Sequence, residues 1–151
     1  MGLRQIRKEG DPVLRKKSRE VAEVNDRIRE LLDDLTETMR SVSGVGLAAP
    51  QVGILRRVVV VEVDGQLYEL VNPVIVKAEG DQFDDEACLS CPGKQGKVHR
   101  PAYVKVEALD RNGNKVSYEG EELLARAFCH ETDHLDGILY VDKAEEIEEL
   151  D

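Results

Sequence analysis

The stretch Phe128–Gly137, Phe-Cys-His-Glu-Thr-Asp-His-Leu-Asp-Gly, constrains this chain more than any other. His130, Glu131 and His134 form an H-E-x-x-H pattern inside it. Helical residues four apart stand one above the other, so both imidazoles leave one face and can share a metal ion. Glu131 lies about 100° round the helix from His130. That puts a carboxylate beside such an ion, where it can take a proton from a water activated there. The pattern arises by accident in roughly one in a few hundred chains of this length. Two unpaired histidines and a glutamate in a core helix would also be costly without a metal. The segment is expected to be a buried helix from Gly120 or Glu121 to about Asp136, with Gly137 ending it. Leu123, Ala127, His130 and His134 share one of its faces, with Leu124, Phe128, Glu131 and Leu135 immediately beside.

A second helix is written earlier. Asn25 suits its N-cap, and Ile28, Leu31, Leu32, Leu35, Met39 and Val42 follow at helical spacing. It should stop at Ser43-Gly44-Val45-Gly46, after which Leu47–Gly53 reads as an irregular apolar loop packed against the body. Arg57–Val63, Tyr68–Asn72, Val74–Ala78, Tyr103–Asp110 and Lys115–Tyr118 are rich in β-branched residues or alternate, and read as strands. Asp64-Gly65 and Asn112-Gly113 are turns between them, and Asn72-Pro73 marks a break. Gly80–Glu86 reads as an acidic loop, and Asp142–Asp151 as a short frayed helix. The expected class is α+β: mixed or antiparallel strands packed around the buried H-E-x-x-H helix, with one N-terminal amphipathic helix. Residues 1–151 show no repeat or linker and are read as one catalytic domain.

The third metal ligand has to be found outside the helix. His99 is the only other histidine, so a cysteine or carboxylate is expected. Cys88 is the best placed and Cys91 competes. Cys88-x-x-Cys91 with His130 and His134 even has the look of a four-ligand structural zinc site, but that arrangement closes the coordination shell and leaves Glu131 without a task. Cys129 reads as a packed thiol. Three cysteines are too few for a disulfide scaffold, and reduced thiols without a visible secretory signal point to the cytoplasm. A net charge of −10 argues against nucleic-acid binding and against an anionic membrane surface. No apolar run approaches the roughly 18 residues of a membrane span.

Three motifs in order carry a resemblance to the peptide deformylase family over almost the whole chain. They are Gly44-Val45-Gly46-Leu47-Ala48-Ala49-Pro50-Gln51, Glu86-Ala87-Cys88-Leu89-Ser90 and His130-Glu131-Thr132-Asp133-His134-Leu135; Asp11-Pro12-Val13-Leu14-Arg15 is similar as well. The resemblance implies that Cys88, His130 and His134 hold one divalent metal, ferrous iron in the cell, with zinc, nickel or cobalt able to replace it. Glu131 would be the proton carrier, and Gln51 with the backbone N–H of Leu89 would bind the oxyanion. Val45, Gly46 and the backbone around Ala87 would pair with the substrate as an added strand. Leu123 and Ala127 would line the methionine pocket, and Arg100 is carried as a further substrate-side residue able to pair with Glu86 or Asp133. The implied reaction removes the N-formyl group from formylmethionine at the start of nascent polypeptides and releases formate.

The chain departs from the family at Ala87 and in its tail, and Cys91, beside the site, is not a family ligand. Ala87 stands where the family usually has glycine, which would be strained if the backbone there needs a positive φ. The tail carries Glu145, Glu146, Glu148 and Glu149 instead of a longer basic helix, which argues against ribosome docking. A zincin-like peptidase is the nearest rival reading, and it lacks a downstream third ligand. A zinc-stabilised binding module is the other, and it would unfold on chelation.

Overall fold

Four consecutive valines, Val58–Val61, give a strand no polar face, so such a strand must be covered on both sides. The computed structural model, which describes residues 2–150, does this with two helices. The valines lie in β2 (Val58–Val63) and all four are fully buried. Val58 and Val60 pack with Ile28, Leu31, Leu32, Leu35 and Met39 of α1 (Asp26–Ser41). Val59 and Val61 pack on the opposite side with Ala125, Phe128 and Leu135 of α2 (Glu122–Leu135). The period of two in the strand thus divides one valine run between two apolar layers.

The Asn25 side chain accepts from the Ile28 amide at 3.1 Å and caps α1, as its position predicts. Of its expected stripe, only Val42 escapes burial, because the helix has ended at Ser41. Around β2, an antiparallel sheet runs in the order β1-β2-β3-β6-β7, where β1 is Gly46–Ala48, β3 Gln66–Glu79, β6 Tyr103–Leu109 and β7 Lys115–Glu121. A second antiparallel sheet, β4-β5-β8, is built from β4 (Gln82–Cys88), β5 (Cys91–Arg100) and β8 (Glu146–Glu149). A third apolar cluster, with Leu14, Val98, Leu139 and Tyr140 around Cys88 and Cys91, packs under this sheet. The α+β class and the two helices agree with the reading of the sequence.

Several local expectations are corrected. Asn72-Pro73 does not end a strand: β3 runs through it with a register shift between Val71 and Val74. Asn72 takes φ 53° there, and its side-chain amide accepts from the Val21 N–H and donates to the Val21 carbonyl. Gly80–Glu86 is mostly strand β4, paired with β5. The tail adds β8 to β5 rather than forming a helix. The front of the expected loop Leu47–Gly53 belongs to β1, followed by one 3-10 turn at Ala49–Val52.

Candidate active site

β1 is the last strand of one sheet and β4 the last of the other, so among the described residues each leaves one backbone edge without a strand partner. These edges and the outer face of α2 enclose a cleft of about 320 Å³. Ser43–Gly46 and Gln51 line one wall and Asp85–Leu89 another; α2 contributes Leu123, Arg126, Ala127, His130 and Glu131. The structure therefore brings Val45, Gly46, Gln51, Ala87, Cys88, Leu89, Leu123, Ala127, His130 and Glu131 to one place. Ala87 sits in extended strand with no positive φ, so the side chain that replaces the family's glycine carries no backbone strain.

Three donor atoms converge where Cys88 and His130 line the cleft, with His134 beside them. His134 Nε2 lies 3.4 Å from Cys88 Sγ and 3.3 Å from His130 Nε2, and all three donors fall within 4.8 Å of one another. A tetrahedral ion with bonds of about 2.1 Å to nitrogen and 2.3 Å to sulfur spaces its donors about 3.4–3.6 Å apart. The donor set therefore fits a divalent metal. Cys91 is outside it, which removes the four-ligand arrangement among the described residues. His99 is on the surface between Asp81 and Glu145.

His130 is held from behind. Its Nδ1 bonds Glu86 Oε1 at 2.6 Å, leaving Nε2 to face the donor cluster. Glu86 in turn receives Arg100 through Nε at 2.9 Å and Nη2 at 2.7 Å, and Arg126 Nη1 at 2.6 Å. Burial opposes the charge on Glu86, but the Arg100 and His130 hydrogen bonds outweigh it and hold the carboxyl well below the usual range. Arg100 also donates to Asp133 at 2.7 Å, so it meets both partners proposed for it. It does not line the cleft, and its guanidinium is buried and committed to these carboxylates. In this structure Arg100 stands behind Glu86 and not in the cleft lining.

Arg126 was not singled out by the sequence, although it stands one helical turn before His130. Its signal was the i, i+4 spacing that already linked His130 to His134. Glu86 opens the middle motif and is expected there only as a partner for Arg100, yet it is the hub of the buried network.

Glu131 is almost fully buried, and its Oε1 has no hydrogen-bond partner among the described residues. Burial pushes its carboxyl up to about 7. The carboxylate fits against β1 only because residue 46 is glycine: a Cβ there would stand 2.6 Å from Glu131 Oε2. Burial also lowers the His134 pKa well below normal, keeping that imidazole neutral and its lone pair available. Gln51 is oriented by its own loop. The Ala48 N–H donates to its Oε1 at 2.9 Å, which turns Nε2 toward the cleft, 3.1 Å from Ser90 Oγ and 3.6 Å from Cys88 Sγ. The arrangement offers three converging metal-ligating donors, a buried carboxyl, a side-chain amide and two strand edges.

A family model described as polypeptide deformylase matches residues 3–149. The chain is 59% identical over 143 residues to the peptide deformylase of Acetivibrio thermocellus, covering 95% of this chain and 84% of that one. It is 58% identical over 143 residues to that of Alkaliphilus metalliredigens, with 95% and 97% covered. Among solved structures, the peptide deformylase from Thermotoga maritima superposes with a TM-score of 0.92 at 36% identity, covering 95% of this chain and 99% of that one.

Proposed function

The chain belongs to the polypeptide deformylase family of hydrolases, and from that membership we propose that its cleft hydrolyses the formamide of N-formylmethionyl nascent peptides. The observation that carries the reading is the convergence of Cys88 Sγ, His130 Nε2 and His134 Nε2 beside a buried carboxylate with an unpartnered oxygen. When bound by these three residues, a divalent ion supplies a water acidified to near neutrality and polarises a carbonyl. Ferrous iron is the native ion in this reading, and zinc, nickel or cobalt can replace it.

Glu131 takes the proton of the attacking water and later delivers it to the departing amine nitrogen. A carboxyl whose burial raises it toward neutrality suits both halves of that transfer. Gln51 Nε2 and the Leu89 N–H donate to the oxygen that becomes negative, and the Ala48 contact fixes the Gln51 amide before charge develops. The peptide lies between the free edges of β1 and β4, bonded through the backbone of Val45, Gly46 and Ala87. Main-chain pairing gives affinity with little demand on sequence, which suits an enzyme that meets many nascent chains. Leu123 and Ala127 receive the methionine side chain. Among the described residues no helix is long and apolar enough to cross a membrane. The acidic strand β8 argues against a docking contact with ribosomal RNA.

Formate release from a formyl-Met peptide, measured anaerobically on iron, nickel and zinc forms, tests the reading. At least one form is expected to release formate. Chelation should abolish activity while the far-UV spectrum persists, because three separate apolar clusters hold the fold without the ion. No formate from any form overturns the assignment.

Gly46→Ala gives a more local test. The added methyl needs space occupied by Glu131 Oε2, so the carboxylate must move. A displacement of about 1 Å can cost on the order of 100-fold, and kcat/KM should fall by about that factor with metal content unchanged. A variant as active as the parent would mean that Glu131 does not need its present position.

A further inference from the structure

Cys91 has no part in the proposed reaction, yet it is held directly opposite a metal ligand. Leu89 and Ser90 form the turn between β4 and β5, and Cys88 and Cys91 are register partners on its two sides. Antiparallel partners have Cα atoms about 4.5–5.5 Å apart, within the roughly 4.4–6.8 Å that a disulfide spans. Both cysteines belong to the apolar cluster with Leu14, Val98, Leu139 and Tyr140, whereas Cys129 is packed in the layer between α2 and the larger sheet. Cys88 lines the cleft and Cys91 does not.

We infer that Cys88 and Cys91 are an oxidative modification site: they form a reversible disulfide, and its formation competes with metal binding for the Cys88 sulfur. The oxidant is a small peroxide that enters through the cleft. The Cys88 sulfur attacks one peroxide oxygen, the O–O bond breaks, and Cys88 becomes a sulfenic acid with release of water or hydroxide. The Cys91 sulfur then attacks the Cys88 sulfur, the S–O bond breaks, and the oxygen leaves as a second water. Two thiols and one peroxide give one disulfide and two waters. The closed loop holds only Leu89 and Ser90 between the cysteines, so the bond removes little chain entropy and is no structural staple. A dithiol reductant can reopen it. Cys91 thereby intercepts Cys88 before it reaches the sulfinic acid, which thiols do not reverse.

The inference shares with the deformylase reading only the placement of Cys88 at the metal. The test treats metal-loaded protein with hydrogen peroxide, with and without a chelator, and maps the cysteines by mass spectrometry under non-reducing conditions. The stripped parent is expected to lose two hydrogens and link Cys88 to Cys91, leaving Cys129 free, and the loaded protein should do so markedly more slowly. After dithiothreitol and metal, the oxidised parent should bind metal again, whereas Cys91→Val should carry extra oxygens on Cys88 and stay unable to bind. Oxygens on Cys88 without a link in the parent, or a link to Cys129, overturn the proposal. A link that forms equally fast with metal present overturns the competition and places the metal off Cys88, which is a separate result from a failure to release formate.

Discussion

Glu131→Gln is expected to lower turnover on a formyl-Met peptide by about 10²–10⁴-fold while the protein keeps its metal and its fold. Glutamine has the same shape and can still hydrogen-bond, but it cannot accept a proton from water and return it. The side chain makes no partnered contact through Oε1, so little native bonding is lost. Burial makes the charged form of Glu131 unfavourable in the metal-free protein, since its carboxyl is pushed up to about 7 from a usual 4.5. The folded state then binds more protons than the unfolded one between those values, so this group takes stability away as pH rises through that interval. An uncharged amide removes that penalty, and metal-free Glu131→Gln should melt no lower than its parent at pH 8. Kinetics, metal analysis and a melting curve together separate the roles. Near-parental turnover would remove Glu131 from the proton path, and loss of metal would show that it contributes to the ion's binding.

Much of this was legible because helices announce themselves locally. The i, i+4 spacing of His130 and His134 and the capped apolar stripe after Asn25 depend on neighbours in sequence, and both helices formed as expected. The β4–β5 hairpin did not announce itself. Asp84, Asp85 and Glu86 give its first arm the composition of a loop, although charged residues are common on a strand that ends a sheet. Its second arm contains Pro92, Gly93 and Gly96, which look like turn residues. Gly96 serves a long-range purpose: a Cβ there would meet the Glu146 carbonyl at 2.8 Å, so the glycine lets β8 dock. No residue near position 96 in sequence signals that contact. The site followed the same division. The metal donors and Gln51 came from motifs, whereas the Glu86–Arg100–Arg126 network exists only once β4, β5 and α2 are packed together.

That network sets the second large effect. Glu86→Gln should lower the melting temperature by roughly 10 °C, because breaking a buried ion pair costs about 3–5 kcal/mol and each kcal/mol is about 2–4 °C at this chain length. The cost comes from what is left behind. Arg100 and Arg126 are both nearly buried, and each would face a neutral amide in place of its carboxylate. His130 would lose the acceptor that keeps its Nδ1 protonated and its Nε2 directed at the metal, so metal affinity should also fall by about 10–100-fold. Adding Arg126→Met to Glu86→Gln should recover part of the melting temperature by removing one stranded charge. It should not recover metal affinity, since the His130 contact remains altered. Recovery of both together would mean that Arg126, rather than Glu86, orients the ligand. Acid should act like the substitution: the folded carboxyl is held far below its unfolded value of 4.5, so its contribution is full above that pH and fades as pH falls beneath it. In Glu86→Gln this part of the acid sensitivity should be gone, so the melting temperatures of parent and variant should converge below pH 4.5. Parallel curves down to pH 3 would show that the charge on Glu86 is not what holds α2 to the hairpin.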